Sequence, residues 1–159
     1  MKEQTRQRIG EIGDRIFLSP VFQALTIGIP FCIFKLIFGL LAWRMSSASV
    51  FLCGFAWLLI LWALADLIMN LLRALYALAG RTSPVEYCTI AQAGRFFKKP
   101  QLFLAIDTLI SFSIICFVLW SGWIKMLDCG ESYIWYAATT LNLISVSVVN
   151  IWVELRREA

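Results

Sequence analysis

The chain contains no histidine. That removes the commonest zinc and haem ligand, and with it the side chain that most often serves as a general base near neutral pH. Charge is scarce as well: 15% of the 159 residues are Asp, Glu, Lys or Arg, against about 25% in ordinary soluble domains. Five cysteines are present but none forms a C-x-x-C pair: Cys32, Cys53 and Cys116 fall in apolar runs, Cys88 in a polar stretch and Cys129 in a short turn. Such scattering defines neither a disulfide framework nor a metal motif, and small buried hydrophobes is the default reading for these thiols. No phosphate loop, nucleophile and base set or N-x-S/T acceptor occurs. The sequence therefore assigns no catalytic residue, no metal and no cofactor, and an enzyme is not expected.

What remains is apolar. Hydrophobic residues make up 60% of the chain and the mean hydropathy is +0.78. They concentrate in four runs, 21–43, 50–72, 102–120 and 133–153, each reaching the ~18 to 20 residues a helix needs to cross a bilayer. The first run is too long, and its charged leader too extended, for a cleaved signal peptide, so it is expected to stay in the protein. The expected fold is an all-α integral membrane protein: one polytopic domain over 1–159, a four-helix transmembrane bundle with spans at about 20–43, 49–72, 101–121 and 132–153.

Lys and Arg divide sharply once these spans are drawn. Lys2, Arg6, Arg8, Arg15, Arg73, Arg81, Arg95, Lys98, Lys99, Arg156 and Arg157 fall on one side, and only Arg44 and Lys125 on the other. The positive-inside rule then puts both termini and the central loop in the cytoplasm, and an inner (plasma) bacterial membrane is the expected location. The formal charge of +4 is read as this topology signal and not as a nucleic-acid surface. Trp43, Trp120, Trp123, Tyr133 and Trp135 gather near the outer boundary, and Tyr76 and Trp152 near the inner one, as in aromatic belts. Trp57 and Trp62 lie deeper and are expected to pack against neighbouring helices.

The segments between spans carry their own signals. In the arm 1–18, Ile9, Ile12 and Ile16 recur at helical spacing among charges, which predicts an amphipathic helix on the inner surface. Ser19-Pro20 supplies an N-cap and a proline at the first helical position, so the first span should start there. The second helix should continue past residue 72 to a glycine cap at Gly80. Ser83-Pro84-Val85-Glu86 reads as a capping box opening a cytoplasmic interfacial helix over 83–97. Arg6, Arg8, Arg15, Arg73, Arg81, Arg95, Lys98 and Lys99 form the cytoplasmic surface expected to meet anionic lipid headgroups or a partner.

Ionisable groups at bilayer depth cost about 2.5 to 3.5 kcal/mol on insertion scales and are functional candidates by default. Three occur, Lys35, Asp66 and Asp107, accompanied by Asn70, Asn142 and Asn150. Asp66 and Asp107 fall at one level, about 8 to 10 Å from the inner boundary at 1.5 Å per residue. Asp66, Asn70 and Arg73 recur at i, i+4 and i+7, on one helix face. Lysine on the first span leans toward the cytoplasm and aspartate on the second leans outward, so an ion pair between Lys35 and Asp66 is expected, with helix tilt or a water closing the last few ångströms.

Two functions fit. In the first, the polar groups hold helices together, Ala24, Gly28, Gly54, Ala63 and Ala65 add close-packing surfaces, and the protein is a small accessory or scaffold subunit of a larger membrane complex. In the alternative, Asp66 and Asp107 take up a proton or cation in a homo-oligomeric channel or ion- or proton-coupled transporter.

Overall fold

The computed structural model describes residues 10 to 157, apart from 12, 47 and 48. It is all-helical among these residues, with four helices long and apolar enough to cross a membrane: α1 (Pro20–Arg44), α2 (Val50–Leu78), α4 (Pro100–Trp120) and α5 (Cys129–Arg157). A shorter helix, α3 (Thr89–Phe96), lies between α2 and α4. Both described chain ends and α3 gather at one end of the bundle, here called the terminal end.

The ends of the helices follow from local chemistry. Ser19 caps α1, its Oγ accepting from Phe22 N at 3.1 Å, with Pro20 in the first turn. Within α1 the residues Ala24–Gly28 form a π-helical turn, in which Ile29 N donates to Ala24 O. Pro30 accounts for it: proline has no N–H to donate, and its ring would crowd the carbonyl four residues back in a regular helix. Helix α2 closes on Gly80 at φ 67°, where Arg81 N donates to Tyr76 O at 2.9 Å. At the start of α5, Asp128 N donates to Glu131 Oε2 at 3.0 Å while Glu131 N donates to Asp128 Oδ1 at 2.7 Å, a reciprocal capping box.

The helix expected over 83–97 is shorter, because its capping box does not close. Ser83 Oγ is engaged in a local turn with Val85, accepting from its N at 3.2 Å and donating to its O at 3.0 Å. The Glu86 carboxylate turns instead to Arg73 and Arg95, at 3.7 and 3.8 Å. Cys88 becomes the N-cap, its Sγ accepting from Ala91 N at 3.3 Å. The arm also differs. Residues 13–17 are helical, but Ile16 is exposed and the contacts run through Gly13, Asp14 and Phe17 onto the last turns of α5. Ile9 and Ile12 lie outside the described residues.

Helix α1 is the axis of the molecule. It packs against α2, α4 and α5, whereas α4 and α5 scarcely touch one another. In its apolar window 56% of residues are buried, against 28%, 22% and 22% for α2, α4 and α5. Contact with α2 is close because small residues face it: Ala56, Ala63 and Ala74 line the buried stripe of α2, and a Cβ at Gly39 would come within 2.8 Å of Ile60 Cγ1. Ala24 is fully buried, but nothing approaches Gly54, which therefore makes no close-packing surface.

The aromatic and aliphatic core, with Phe34, Phe38, Leu41, Leu59, Val118 and Trp135, fills the half of the bundle away from the terminal end. Trp135 is not a belt residue: it is buried at 1% exposure, its ring 5.1 Å from Phe34. Arg44 ties α1 to α5 beyond this core, donating to both carboxylate oxygens of Glu131 at 2.8 and 2.5 Å and to Met126 O at 3.2 Å. With the apolar core on one side and the capped ends on the other, the polar residues are left in the half between α1 and α3.

Candidate functional site

Lys35 projects from α1 toward the terminal end, as helical side chains lean toward their own N-terminus. Its Nζ donates to Asp66 Oδ2 at 2.7 Å and to Asp107 Oδ1 at 2.6 Å, and lies 4.2 Å over the Trp62 ring. One ammonium therefore joins α1, α2 and α4. The contact with Asp66 is direct and the lysine is shared, because the two aspartates stand at one level on either side of it. All three side chains are buried, at 1%, 1% and 5% exposure. With Lys35 protonated and both carboxylates ionised, the trio carries a net charge of −1.

The two aspartates differ in what else holds them. Asp66 uses its second oxygen: Oδ1 accepts from Thr89 N at 2.7 Å. That N–H opens α3, so Asp66 sits on the positive end of the helix dipole. Asp107 accepts from Lys35 through Oδ1 and, more weakly, from the Cys88 thiol, and lacks the backbone N–H that holds Asp66. The Cys88 thiol borders it, and burial together with the Asp107 charge pushes that thiol up to about 12. Cys88 therefore stays a neutral thiol at physiological pH, a cap and not a nucleophile.

The Asp66, Asn70 and Arg73 face of α2 organises the segment below the trio. Asn70 Nδ2 donates to Asp66 O at 2.9 Å and to Tyr87 O at 2.8 Å, which fixes the amide's orientation and leaves its buried Oδ1 without a partner. Arg73 donates through Nη1 to Val85 O at 3.0 Å and lays its guanidinium 3.7 Å over the Tyr87 ring. Tyr87 in turn donates its hydroxyl to Gln23 Oε1 at 2.8 Å. Arg73 is thus a clamp on residues 85–88 and not a free surface cation. Arg15, Arg81, Arg95, Lys98 and Lys99 are exposed, and Arg6 and Arg8 lie outside the described residues.

A cavity of about 380 Å³ opens on this network. Lys35, Asp66, Asn70 and Asp107 line its charged end; Tyr87 and Cys88 close it toward the terminal end; Ile27, Phe31, Leu104 and Val149 supply apolar wall, with Gln101, Thr108 and Asn150 beside them. It follows the seam where α4 and α5 part. Asn150 is exposed but lines this cavity. Asn142 does not: it is buried elsewhere, its Nδ2 donating to Ile27 O at 3.3 Å beside the π turn. The π turn itself contributes, since the space a side chain at Gly28 would need is occupied by Asn70 Oδ1.

Three participants carry no sequence signal of their own: the Thr89 N–H, the Tyr87 floor and the Cys88 cap become visible only once the segment after α2 folds back. The thiols divide by environment. Cys32 and Cys88 are buried beside the site, Cys53 is half-buried, and Cys116 and Cys129 are exposed.

Among the described residues the fold and site together define an all-helical protein with four candidate membrane-crossing helices and an open cavity whose charged end is buried. Comparison with protein-family models, with curated proteins and with solved structures finds no match to this chain.

Proposed function

We propose that this is an integral membrane protein whose four long helices cross the bilayer, with both termini and α3 on the cytoplasmic side, and that its cavity takes up a proton or a monovalent cation in ion- or proton-coupled transport. The observation that carries the reading is the cavity beside the Asp66, Lys35 and Asp107 trio. Polar groups that only fasten helices together need a bond and close packing. Here about 380 Å³ of space adjoins a trio that carries −1 when Lys35 is protonated and both carboxylates are ionised. A negative excess at bilayer depth calls for a compensating positive charge, supplied by a proton or a cation.

The chemistry that follows is exchange on Asp107. Asp66 is committed on both oxygens, to Lys35 and to α3. Asp107 is held by Lys35 and, more weakly, by the Cys88 thiol. When Asp107 takes a proton or a cation, Lys35 remains on Asp66 and the Trp62 face, and the −1 of the empty, ionised trio becomes zero.

The test is flux in proteoliposomes containing the purified protein and a pH-sensitive dye. A pH gradient should collapse faster than in empty vesicles, and Asp107→Asn should return the rate to that of empty vesicles while the variant keeps its oligomeric state. Equal rates for protein-containing and empty vesicles would remove the transport reading. The accessory-subunit reading is favoured by one observation, the open seam between α4 and α5, where a span of another protein could pack. Recovery of the protein from its native membrane only inside a larger hetero-complex would support it.

A further inference from the structure

We propose that the cavity is a binding site for a small protonated organic amine, whose ammonium group sits on Asp107 in competition with Lys35 and whose carbon skeleton lies along Ile27, Phe31, Leu104 and Val149. The inference deepens the transport reading by naming a ligand class for the same cavity, and it rests on that reading only for where the ligand goes afterwards.

Three observations point to this class. The group that the two carboxylates hold is itself a primary ammonium, that of Lys35, at 2.7 and 2.6 Å. The site is therefore already shaped and charged for that functional group. Next, Asp107 lines the charged end of the cavity, so an entering ammonium, which brings three N–H donors, meets a carboxylate there. Finally, the size is that of a molecule and not of a bare ion. A cavity of about 380 Å³ falls in the range of small-molecule pockets, roughly 300 to 1,000 Å³, which combine apolar walls with a few placed polar groups.

Charge completes the argument. With both carboxylates ionised the trio sums to −1, and an arriving monovalent cation brings it to zero. An anion would add to the excess, and a neutral solute would leave it. Lys35 acts as the tethered occupant: it holds Asp107 when no amine is bound, and moves wholly to Asp66 and Trp62 when one is.

Equilibrium binding to the full chain in lipid nanodiscs tests this, with n-butylammonium chloride as the probe and sodium chloride at equal ionic strength as the control. Saturable binding of n-butylammonium is expected, with none for sodium. Asp107→Asn should weaken it about tenfold or more, the loss of one charge-assisted bond. Leu104→Trp, which fills the apolar wall and leaves the charges in place, should weaken it by a similar factor; it decides the matter if Asp107→Asn does not fold. No saturable binding, or equal affinity in wild type and Leu104→Trp, overturns the proposal. Amine binding without any flux would sink the transport reading and leave the amine site standing. Proton flux without amine binding would do the reverse.

Discussion

At the scale of single residues, Lys35 is the group on which most depends. Removing it leaves Asp66 and Asp107 facing each other without a counter-charge, so Lys35→Met should lower stability by about 3 to 5 kcal/mol, the usual cost of breaking a buried pair from one side. Adding Asp107→Asn should recover part of that loss, because it removes one of the two facing carboxylates. Thermal unfolding in detergent measures both, and a double variant no better than the single would contradict the shared-lysine geometry. Lys98 offers the opposite sign. Its φ of 55° lies in the left-handed region, which costs a non-glycine residue roughly 1 to 2 kcal/mol, so Lys98→Gly should raise the unfolding midpoint. Asp14 gives a pH test. The Trp152 indole at 2.8 Å, and then the Arg156 guanidinium, hold its carboxyl below the ordinary value of 3.8. A lowered folded value means that the contact stabilises above 3.8 and is lost as pH falls through the lower value. The Trp152 indole N–H resonance should therefore shift with a midpoint below pH 3.8; a midpoint at or above 3.8 would contradict the contact. Lys35, Asp66 and Asp107 are legible in the sequence because a charge inside an apolar run has few cheap explanations. The orphaned Asn70 oxygen is not, because it depends on the backbone of Tyr87, which arrives from a different segment.

At the scale of elements, the elbow between α3 and α4 holds the N–H of Thr89 against Asp66. A Cβ at Gly94 would lie 2.7 Å from Phe103 Cβ, an atom with no freedom to withdraw, so Gly94→Ala should cost about 1 to 3 kcal/mol through overpacking. Its distinctive effect should be loss of hydrogen-exchange protection at the Thr89 amide, while the α1 amides stay protected; loss spread evenly over the molecule would contradict a local elbow. The long helices are legible because their most apolar stretches of 18 residues, with mean hydropathies of 2.2, 2.2, 2.5 and 1.4, stand far above their surroundings, and Gly80 stops α2 as glycine caps do. The capping signals mislead in one place and pass unnoticed in another. Ser83 and Glu86 have the spacing of a box, but Arg73 and Arg95 compete for the glutamate. Asp128 and Glu131 have the same spacing and do form one. Only the second acid lacks a rival cation on the wrong side: Arg44 reinforces it. The π turn is equally hidden, since a proline ten residues into a helix can produce a kink, a break or a widened turn.

At the scale of the whole molecule, hydropathy does not reveal that α1 is the axis, because α1 and α2 are equally apolar and only packing separates them. The proposed orientation is open to a direct check. Cys129 is exposed at the end of the bundle opposite the termini, while Cys88 is buried and held as a neutral thiol. A membrane-impermeant maleimide added to intact cells should label Cys129 and spare Cys88; labelling of Cys129 only after permeabilisation would reverse the orientation. At the centre of the molecule one ammonium is shared by two buried carboxylates. The measurement that tests this most directly is solid-state NMR of the protein in lipid, with ¹⁵N on lysine and ¹³C on the aspartate carboxyls, reading dipolar contacts from Lys35 Nζ. The account predicts close contacts to both Asp66 and Asp107, the second lost in Asp107→Asn. Contact to one aspartate alone, or to neither, would contradict it.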